Sequence, residues 1–141
     1  MIGAIMAKRK ARASFECLNR RDIEGFLADW AEDAHMIHPG DVPGISGEME
    51  GKEAAREWLQ KFLDRFPGIA FSLTSVCVEN IFAFGGTNMV IAEWDIVLNG
   101  HQGQEWRNRG ITVSSVRKGK VMQVRNYIFD AEVHRQAWGA A

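Results

Sequence analysis

The sequence predicts an α+β fold in which a cone-shaped, curved antiparallel (mixed) sheet wraps around three N-terminal helices, with a short helix at the C-terminus. Two patterns predict it: apolar residues recur at three- and four-residue steps in the first half, and strand-like runs separated by glycine turns fill the second. The 141 residues, 46% of them apolar, suit one domain over residues 1–141. A curved sheet covered by helices leaves a concave interior, which is a natural place for a ligand.

Three helices are predicted in the first half of the chain. A break at residues 19–22, with Asp22 as a suitable N-cap, divides the first apolar stripe into two short helices that meet at a corner. The stripe consists of Phe15, Leu18, Ile23, Phe26, Leu27 and Trp30. From Lys52 to Phe66 the apolar positions keep the 3.6-residue period, and Pro67-Gly68 ends the helix. Near the C-terminus, Asp130 is predicted to cap a last short helix through Trp138.

The strands are predicted from apolar runs and turn residues. Ala34 to Pro39 is a short strand, and Gly40 to Gly51 is a loop whose length is typical of functional loops. Residue pairs that tolerate positive φ, at Gly85-Gly86, Asn99-Gly100 and Lys118-Gly119, separate the later runs. Four antiparallel strands are therefore expected, over Ile69–Phe84, Thr87–Leu98, Gln104–Val116 and Val121–Phe129.

Composition argues against several classes of partner and location. The formal net charge of −1 at pH 7 and the even mixture of acidic and basic residues provide no broad field for nucleic acid or an anionic membrane. The basic cluster at residues 8–12 is interpreted as a solvated helix face. No apolar run approaches the roughly 18 residues that span a bilayer, and Ile2 to Met6 is too short for a signal peptide. Cys17 and Cys77 are too few for a disulfide framework, so we expect a cytoplasmic protein.

Two stretches carry a resemblance to a known superfamily. The first runs from Leu18 to Gly25, continues through Trp30–Ala34 and reaches a strand that ends in His38-Pro39; the second is the hairpin Val116–Val121 followed by Arg125–Asp130. They resemble the opening and the last strands of the nuclear-transport-factor-two-like superfamily, which includes ketosteroid isomerases, SnoaL-like polyketide cyclases and limonene-type epoxide hydrolases. The resemblance spans nearly the whole chain. It is specific for the fold and not for the chemistry, because this fold hosts several activities.

The resemblance implies a catalytic position at His38. In ketosteroid isomerases the residue before the matching proline is the carboxylate that moves a proton beside a carbonyl, and here it is a histidine. An imidazole titrates near neutrality, so it can act as a general acid or base. The isomerase pattern is otherwise incomplete, because Ser14 and Thr112 stand near the positions of its two oxyanion donors. Steroid isomerisation is therefore not predicted.

The second long strand carries the next candidates. By alternation alone, Glu93 and Asp95 share a face that is exposed to water. Resemblance to the epoxide hydrolases implies the reverse, with both acids lining the cavity and the Trp94 side meeting another subunit. Asp95 matches the strand aspartate of that family, whereas Glu93 replaces its arginine and Asn126 replaces its second aspartate. An asparagine can orient a water but cannot accept its proton, so hydrolysis through a water held by Asp95 and Asn126 is the third hypothesis.

Together these residues predict a catalytic cluster of His38, Asp95 and Asn126. The leading hypothesis is a SnoaL-like protein that binds a small hydrophobic cyclic or polyketide-like carbonyl compound and catalyses proton transfer, with no cofactor. The second is a non-catalytic ligand-binding or assembly module. The substrate-binding wall is predicted to contain Trp30, Met36, Trp58, Phe62, Glu93, Trp106, Asn108 and Ile128.

Two further interpretations concern metals and oligomers. His35 and His38 are three positions apart on a strand and so point to opposite faces, which argues against a shared ion, and no metal site is predicted. The outer sheet face is rich in arginine and aromatic residues, as interfaces often are, and many relatives pair through it. We therefore expect a homodimer through the outer sheet face, whose residues are Trp94, Arg107, Arg109, Ile111, Arg125, Tyr127 and Phe129.

Overall fold

The computed structural model of the protein describes residues 2–81 and 86–140, and these ranges contain four helices and six strands. The helices are α1 (Ile2–Asn19), α2 (Ile23–Leu27), α3 (Lys52–Arg65) and α4 (Ala131–Ala140). The strands are β1 (Trp30–His38), β2 (Gly47–Glu50), β3 (Ala70–Val78), β4 (Thr87–Asn99), β5 (Glu105–Arg117) and β6 (Lys120–Ile128). The predicted α+β class is confirmed.

The six strands form one open, mixed sheet in the order β2-β1-β6-β5-β4-β3. Strands β3 to β6 pair antiparallel with their neighbours in the chain, while β1 pairs parallel with β6 and antiparallel with β2. Register shifts between Leu73 and Ser75 and between Ser115 and Val116 mark irregularities of the kind that bend a sheet. The four-strand meander predicted for the second half is therefore present, and the N-terminal strand joins it at β6.

The short helices begin where the sequence provides caps. Asp22 caps α2, because its Oδ1 accepts a hydrogen bond from the backbone N–H of Gly25 at 2.8 Å. Asp130 caps α4, because its Oδ1 accepts from the backbone N–H groups of Glu132 at 3.0 Å and Val133 at 3.3 Å. Both predicted caps are confirmed.

Three predicted boundaries are wrong. Trp30, which was assigned to the second helical stripe, is the first residue of β1, because α2 is only five residues long. The end of the predicted loop Gly40–Gly51 forms the edge strand β2 through backbone pairing with β1, which side-chain periodicity does not report. The predicted strand Ile69–Phe84 ends at Val78; its residues 82–84, with Gly85 of the predicted turn, lie outside the described residues.

The core lies between the helices and the inner face of the sheet. Helix α3 buries one side at helical spacing, through Ala55, Leu59, Phe62 and Leu63, and α1 packs against β3. The largest fully buried side chains are Phe66, Leu27, Met36, Leu63, Ile96 and Leu98. Within the described ranges, no helix combines the length and apolar character needed to cross a membrane.

Candidate ligand-binding site

A cavity of about 490 Å³ lies between the helices and the inner face of the sheet. Its lining is mostly apolar, and its volume suits a small organic molecule. The charged residues that line it are Lys10, Asp29 and Lys118, and the first two pair with each other at 3.0 Å. Seven residues predicted for the site line the cavity: Trp30, Met36, His38, Trp58, Phe62, Asn126 and Ile128.

His38 is held in the cavity wall as a neutral imidazole. The residue is 7% exposed, and its ring packs on the indole of Trp58 with 4.3 Å between the ring centroids. Trp58 in turn stacks on Phe62 at 5.0 Å. Burial, together with a smaller effect of the nearby His134, lowers the pKa of His38 to about 4. At neutral pH His38 is therefore uncharged.

A directed chain of hydrogen bonds fixes the tautomer of His38. The indole Nε1–H of Trp94 can only donate, and it donates to the hydroxyl of Thr112 at 2.9 Å. The Thr112 hydroxyl donates to Oδ1 of Asn126 at 2.7 Å, and Nδ2 of Asn126 lies 3.2 Å from Nε2 of His38. With this direction the hydroxyl hydrogen of Thr112 has an acceptor in the Asn126 oxygen. The amide N–H of Asn126 then donates to His38. Nε2 of His38 is then the acceptor, so the ring carries its single proton on Nδ1.

That Nδ1 atom has no hydrogen-bond partner among the described residues, although it is buried. An unpaired buried N–H costs about 1–3 kcal/mol, so such groups are uncommon in folded proteins and call for an explanation. His38 lines an apolar cavity, where a bound molecule can supply the missing acceptor. In chemical terms the cavity wall holds a neutral hydrogen-bond donor in an apolar surrounding. The donor atom itself is covered, so a small rotation of the ring would bring it against a bound molecule.

Gly110 explains how Trp94 reaches Thr112. Gly110 pairs with Trp94 across β4 and β5, and a Cβ atom at this position would lie 2.3 Å from the indole ring and 2.7 Å from the backbone oxygen of Tyr127. The indole therefore lies across the glycine, which places its Nε1 against the hydroxyl of Thr112. A glycine inside a strand often marks such a close approach, so the sequence did contain this signal.

Glu93 and Asp95 do not line the cavity, and the prediction that they do is wrong. Successive residues of a strand face opposite sides, and the inner positions of β4 are the buried Ala92, Trp94 and Ile96. Asp95 is 45% exposed on the outer face and pairs with Arg109 at 3.0 Å. Trp94 lies on the inner face of β4, so its predicted place on the outer face is wrong as well. The cluster of His38, Asp95 and Asn126 is therefore not assembled, since only His38 and Asn126 meet.

Trp106 and Asn108 share the inner side of β5 but lie beyond the cavity lining. Trp106 is partly buried and packs against the core. Asn108 is buried and saturated: its Oδ1 accepts from the backbone N–H groups of Arg109 and Asp130 at 2.8 and 3.2 Å, and its Nδ2 donates to the oxygen of Asp130 at 2.6 Å. The second Nδ2 hydrogen points to Nδ1 of His134 at 2.7 Å. Asn108 thus supports a cavity residue without lining the cavity itself.

His134 on α4 lines the cavity and was not predicted. It is 3% exposed, and burial lowers its pKa to about 4 against a smaller opposing effect of Asp130. Its helical spacing to the buried Ala137 and to Trp138 could have marked it as facing inward. Its contact with Asn108, 26 positions away in the chain, has no signal in the local sequence.

The described residues contain one group that offers metal-ligating atoms close together. His35, Glu48 and Glu50 place one such atom each within 4.8 Å of one another on the edge pair β1 and β2, and Nε2 of His35 lies 3.2 Å from the Glu48 carboxylate. Both glutamates are exposed. His38 contacts Asn126 and Trp58 instead, as expected for two histidines three apart on a strand.

Solved structures with the same fold are numerous. Bal32a from a soil-derived mobile gene cassette superposes with a TM-score of 0.80 at 19% identity, covering 96% of this chain and 98% of its own. TerC co-crystallised with polyporic acid gives 0.74 at 18%, covering 92% and 96%. RV0760c from Mycobacterium tuberculosis, in complex with estradiol-17beta-hemisuccinate, gives 0.71 at 18%, covering 90% and 95%. Comparison with curated protein sequences finds no match.

The family itself is shown by the sequence. The SnoaL-like domain model matches residues 11–124, which include β1, α3, most of β6 and therefore most of the cavity wall. Helix α4, which carries His134, lies beyond the matched region. The matched region, the open mixed sheet and the structural neighbours agree with one another, and the chain belongs to the SnoaL-like domain family of the nuclear-transport-factor-two-like superfamily.

Proposed function

We propose that the chain binds a small hydrophobic, cyclic or polyketide-like compound whose carbonyl oxygen accepts a hydrogen bond from His38. The observation that carries the proposal is the buried, unpartnered Nδ1 of this imidazole in the wall of an apolar cavity. A carbonyl oxygen is an acceptor that a largely apolar molecule can carry at a small cost in hydrophobicity. The rest of the molecule would pack against Trp58, Phe62 and Ile128, as aromatic and aliphatic walls allow.

Two relatives support this class of ligand. TerC was co-crystallised with polyporic acid, and RV0760c is in complex with estradiol-17beta-hemisuccinate. Both ligands are small organic molecules, and both proteins share the fold of this chain. We extend to this chain the ligand class alone, since the identity to each is 18%.

The test compares two bicyclic probes that differ by one oxygen, tetralin and 1-tetralone. Asparagine at position 38 keeps an N–H near the place of Nδ1, whereas leucine removes it. We expect the affinity ratio of 1-tetralone to tetralin, measured by calorimetry or tryptophan fluorescence, to be about tenfold higher in the natural protein and in His38→Asn than in His38→Leu, since one hydrogen bond corresponds to about that factor. An equal ratio in all three proteins refutes the proposed contact.

We also propose that bound carbonyl compounds exchange the proton on the carbon beside the carbonyl. A water from solvent takes that proton and later returns one to the carbon, while donation from His38 would stabilise the negative charge that develops on the oxygen in between. A preorganised donor in an apolar site is effective in this role. The observation that favours it is that the donor is neutral and its orientation is held through Asn126 and Thr112. Asp95 has no part in this proposal because it lies on the outer face.

Deuterium exchange at carbon 2 of 1-tetralone in heavy water, followed by proton NMR, tests the catalytic step. Exchange above the buffer rate that falls in His38→Leu supports an enzyme of the proton-transfer kind. Binding of 1-tetralone without any exchange above the buffer rate favours the alternative, a non-catalytic ligand-binding module. Epoxide hydrolysis is not proposed, because Asp95 and Asn126 lie on opposite faces of the sheet and cannot hold one water.

We propose that two copies associate through the outer sheet face, now defined by Ile91, Glu93, Asp95, Arg107, Arg109, Ile111, Arg125, Tyr127 and Phe129. Ile91, Tyr127 and Phe129 are large hydrophobic residues with 37%, 39% and 56% exposure. The strand register places Arg109 and Arg125 on the same face. Exposed aromatic residues next to arginine are typical of interfaces. Light scattering behind size exclusion should give a dimer at micromolar concentration, and a monomer for Phe129→Glu. A monomer in the natural protein contradicts this.

We propose a cytoplasmic location. Cys17 and Cys77 are both free, and Cys77 is exposed, which suits a reducing compartment. Cell fractionation should recover the protein in the cytosolic fraction. Recovery from the culture medium or the periplasm would contradict this location.

A further inference from the structure

His134 is a second donor in the same cavity, and its tautomer is also fixed. The backbone N–H groups of Arg109 and Asp130 can only donate, so the Asn108 atom that they contact is its oxygen. The atom that contacts Nδ1 of His134 at 2.7 Å is therefore the amide nitrogen, which donates. His134 must then carry its single proton on Nε2. Nε2 has no hydrogen-bond partner among the described residues, while the ring lines the cavity.

The two histidines thus have opposite tautomers and the same role. His38 carries its proton on Nδ1 and His134 carries its proton on Nε2, each because an asparagine amide occupies the other ring nitrogen. The two rings are close enough for His134 to influence the ionisation of His38. No carboxylate other than Asp29 lines the cavity in the described part of the chain, and Asp29 is paired with Lys10. The described lining therefore has no unpaired negative charge that would attract a cation.

From this arrangement we infer that His134 binds a second oxygen of the ligand, so that the ligand is a hydrophobic ring system with two oxygen acceptors, such as a hydroxy-ketone or a diketone. The inference rests on the proposed function, since it adds an acceptor for His134 to the carbonyl assigned to His38. It makes His134 a ligand-binding residue and Asn108 the residue that positions it. An amine or another cation is not the preferred ligand, because the one carboxylate of the described lining, Asp29, is already paired with Lys10.

The test uses 1-tetralone and its four hydroxyl derivatives at ring positions 5, 6, 7 and 8, which place the second oxygen at different distances from the first. Glutamine at position 134 keeps an amide N–H near the place of Nε2, leucine removes it, and asparagine moves it to the place of Nδ1. The measured quantity is the affinity ratio of each hydroxy-tetralone to 1-tetralone. The cooperative unfolding of each variant is checked first, and His134→Asn replaces His134→Leu if the latter does not fold.

We expect at least one hydroxyl position for which the ratio is about tenfold higher in the natural protein and in His134→Gln than in His134→Leu or His134→Asn. Ratios that are equal in all of the proteins for all four derivatives overturn the inference. The proposed function survives this result if the affinity ratio of 1-tetralone to tetralin still depends on His38. Loss of that dependence on His38 refutes the proposed function itself. The two failures are thus read from different variants.

Discussion

The inner and outer faces of β4 and β5 are built from the same two strands and differ in almost every property. The inner face carries Trp94, Gly110 and Thr112, which are linked by close packing and hydrogen bonds. The outer face carries exposed ion pairs, of which Asp95 with Arg109 is one. Parity along the strand decides which residues can meet a ligand, since a shift of one position exchanges the faces.

A residue role can therefore be carried over from a family only when the residue lies on the same face of the strand in both proteins. The resemblance to epoxide hydrolases placed Asp95 inside the cavity, whereas simple alternation placed it outside. Alternation was right, because the large apolar residues Trp94 and Ile96 occupy the buried positions. The polar groups that do face the cavity, His38, Asn126 and His134, come from other elements.

The largest effect is expected on the cavity side of the sheet, in its response to acid. Both buried histidines have a pKa of about 4, below the ordinary 6.5, so the unfolded chain takes up protons between these values while the folded chain does not. Stability is therefore full above pH 6.5 and falls as the pH decreases toward 4, by roughly 3 kcal/mol for each histidine. Urea unfolding at several pH values measures this loss.

The matched control is the double variant His38→Asn with His134→Gln, which keeps both donors and removes both titrations. Its stability should change little between pH 6.5 and pH 5. Glu24, whose pKa is lowered mainly by its hydrogen bond to Arg56, loses its contribution only below its ordinary value of 4.5. A natural protein that is equally stable at pH 7 and pH 5 would contradict the neutral state assigned to the two rings.

Filling the space of Gly110 should cost somewhat less. In Gly110→Ala the new Cβ meets the indole of Trp94 and the backbone oxygen of Tyr127, and the backbone oxygen cannot move away cheaply. We expect a loss of about 2–3 kcal/mol in urea unfolding. Gly139→Ala is the control, because nothing lies within 4 Å of its Cβ and alanine favours a helix. Equal stability of the two variants would show that Trp94 does not lie across Gly110.

Breaking the hydrogen-bond chain should have a moderate effect. Thr112→Val keeps the shape of the side chain and leaves the indole N–H of Trp94 and the amide oxygen of Asn126 without their partner. We expect a loss of about 1–2 kcal/mol in unfolding free energy. Thr112→Ser retains the hydroxyl and should restore most of this loss. A serine variant as unstable as the valine variant would assign the effect to packing instead.

The smallest effect is expected on the outer face. Asp95→Asn breaks an exposed ion pair with Arg109, and such pairs contribute little. We expect a change within about 0.5 kcal/mol in stability and no change in the affinity for 1-tetralone. Calorimetric titration of the variant checks this. A tenfold loss of affinity would return Asp95 to the ligand site and contradict the assignment of the two faces.

Much of the fold was predictable because strong local signals set it. The period of α3, the caps Asp22 and Asp130 and the glycine turns after β4 and β5 all placed elements correctly. The errors fall where local signals are weak. Strand β2 exists only through backbone pairing with β1, and Trp30 continues an apolar period across a change from helix to strand.

The site was predictable in part for a similar reason. The predicted wall residues that line the cavity lie on β1, α3 and β6 and had a clear periodicity or a family position. The hydrogen-bond chain from Trp94 to His38 and the contact of Asn108 with His134 join residues far apart in the chain. Such contacts depend on sheet register and on the docking of α4, which no local pattern encodes.

The proposed ligand contacts depend on two neutral imidazoles in the cavity wall whose protons are on opposite ring nitrogens. Long-range proton–nitrogen NMR correlation of the imidazole rings at pH 7 measures it directly, with His38→Asn and His134→Gln to assign the signals. We expect both rings to be neutral, with the proton on Nδ1 in His38 and on Nε2 in His134. A protonated, cationic ring at either position, or a proton on Nε2 of His38, would contradict the proposed pair of donors.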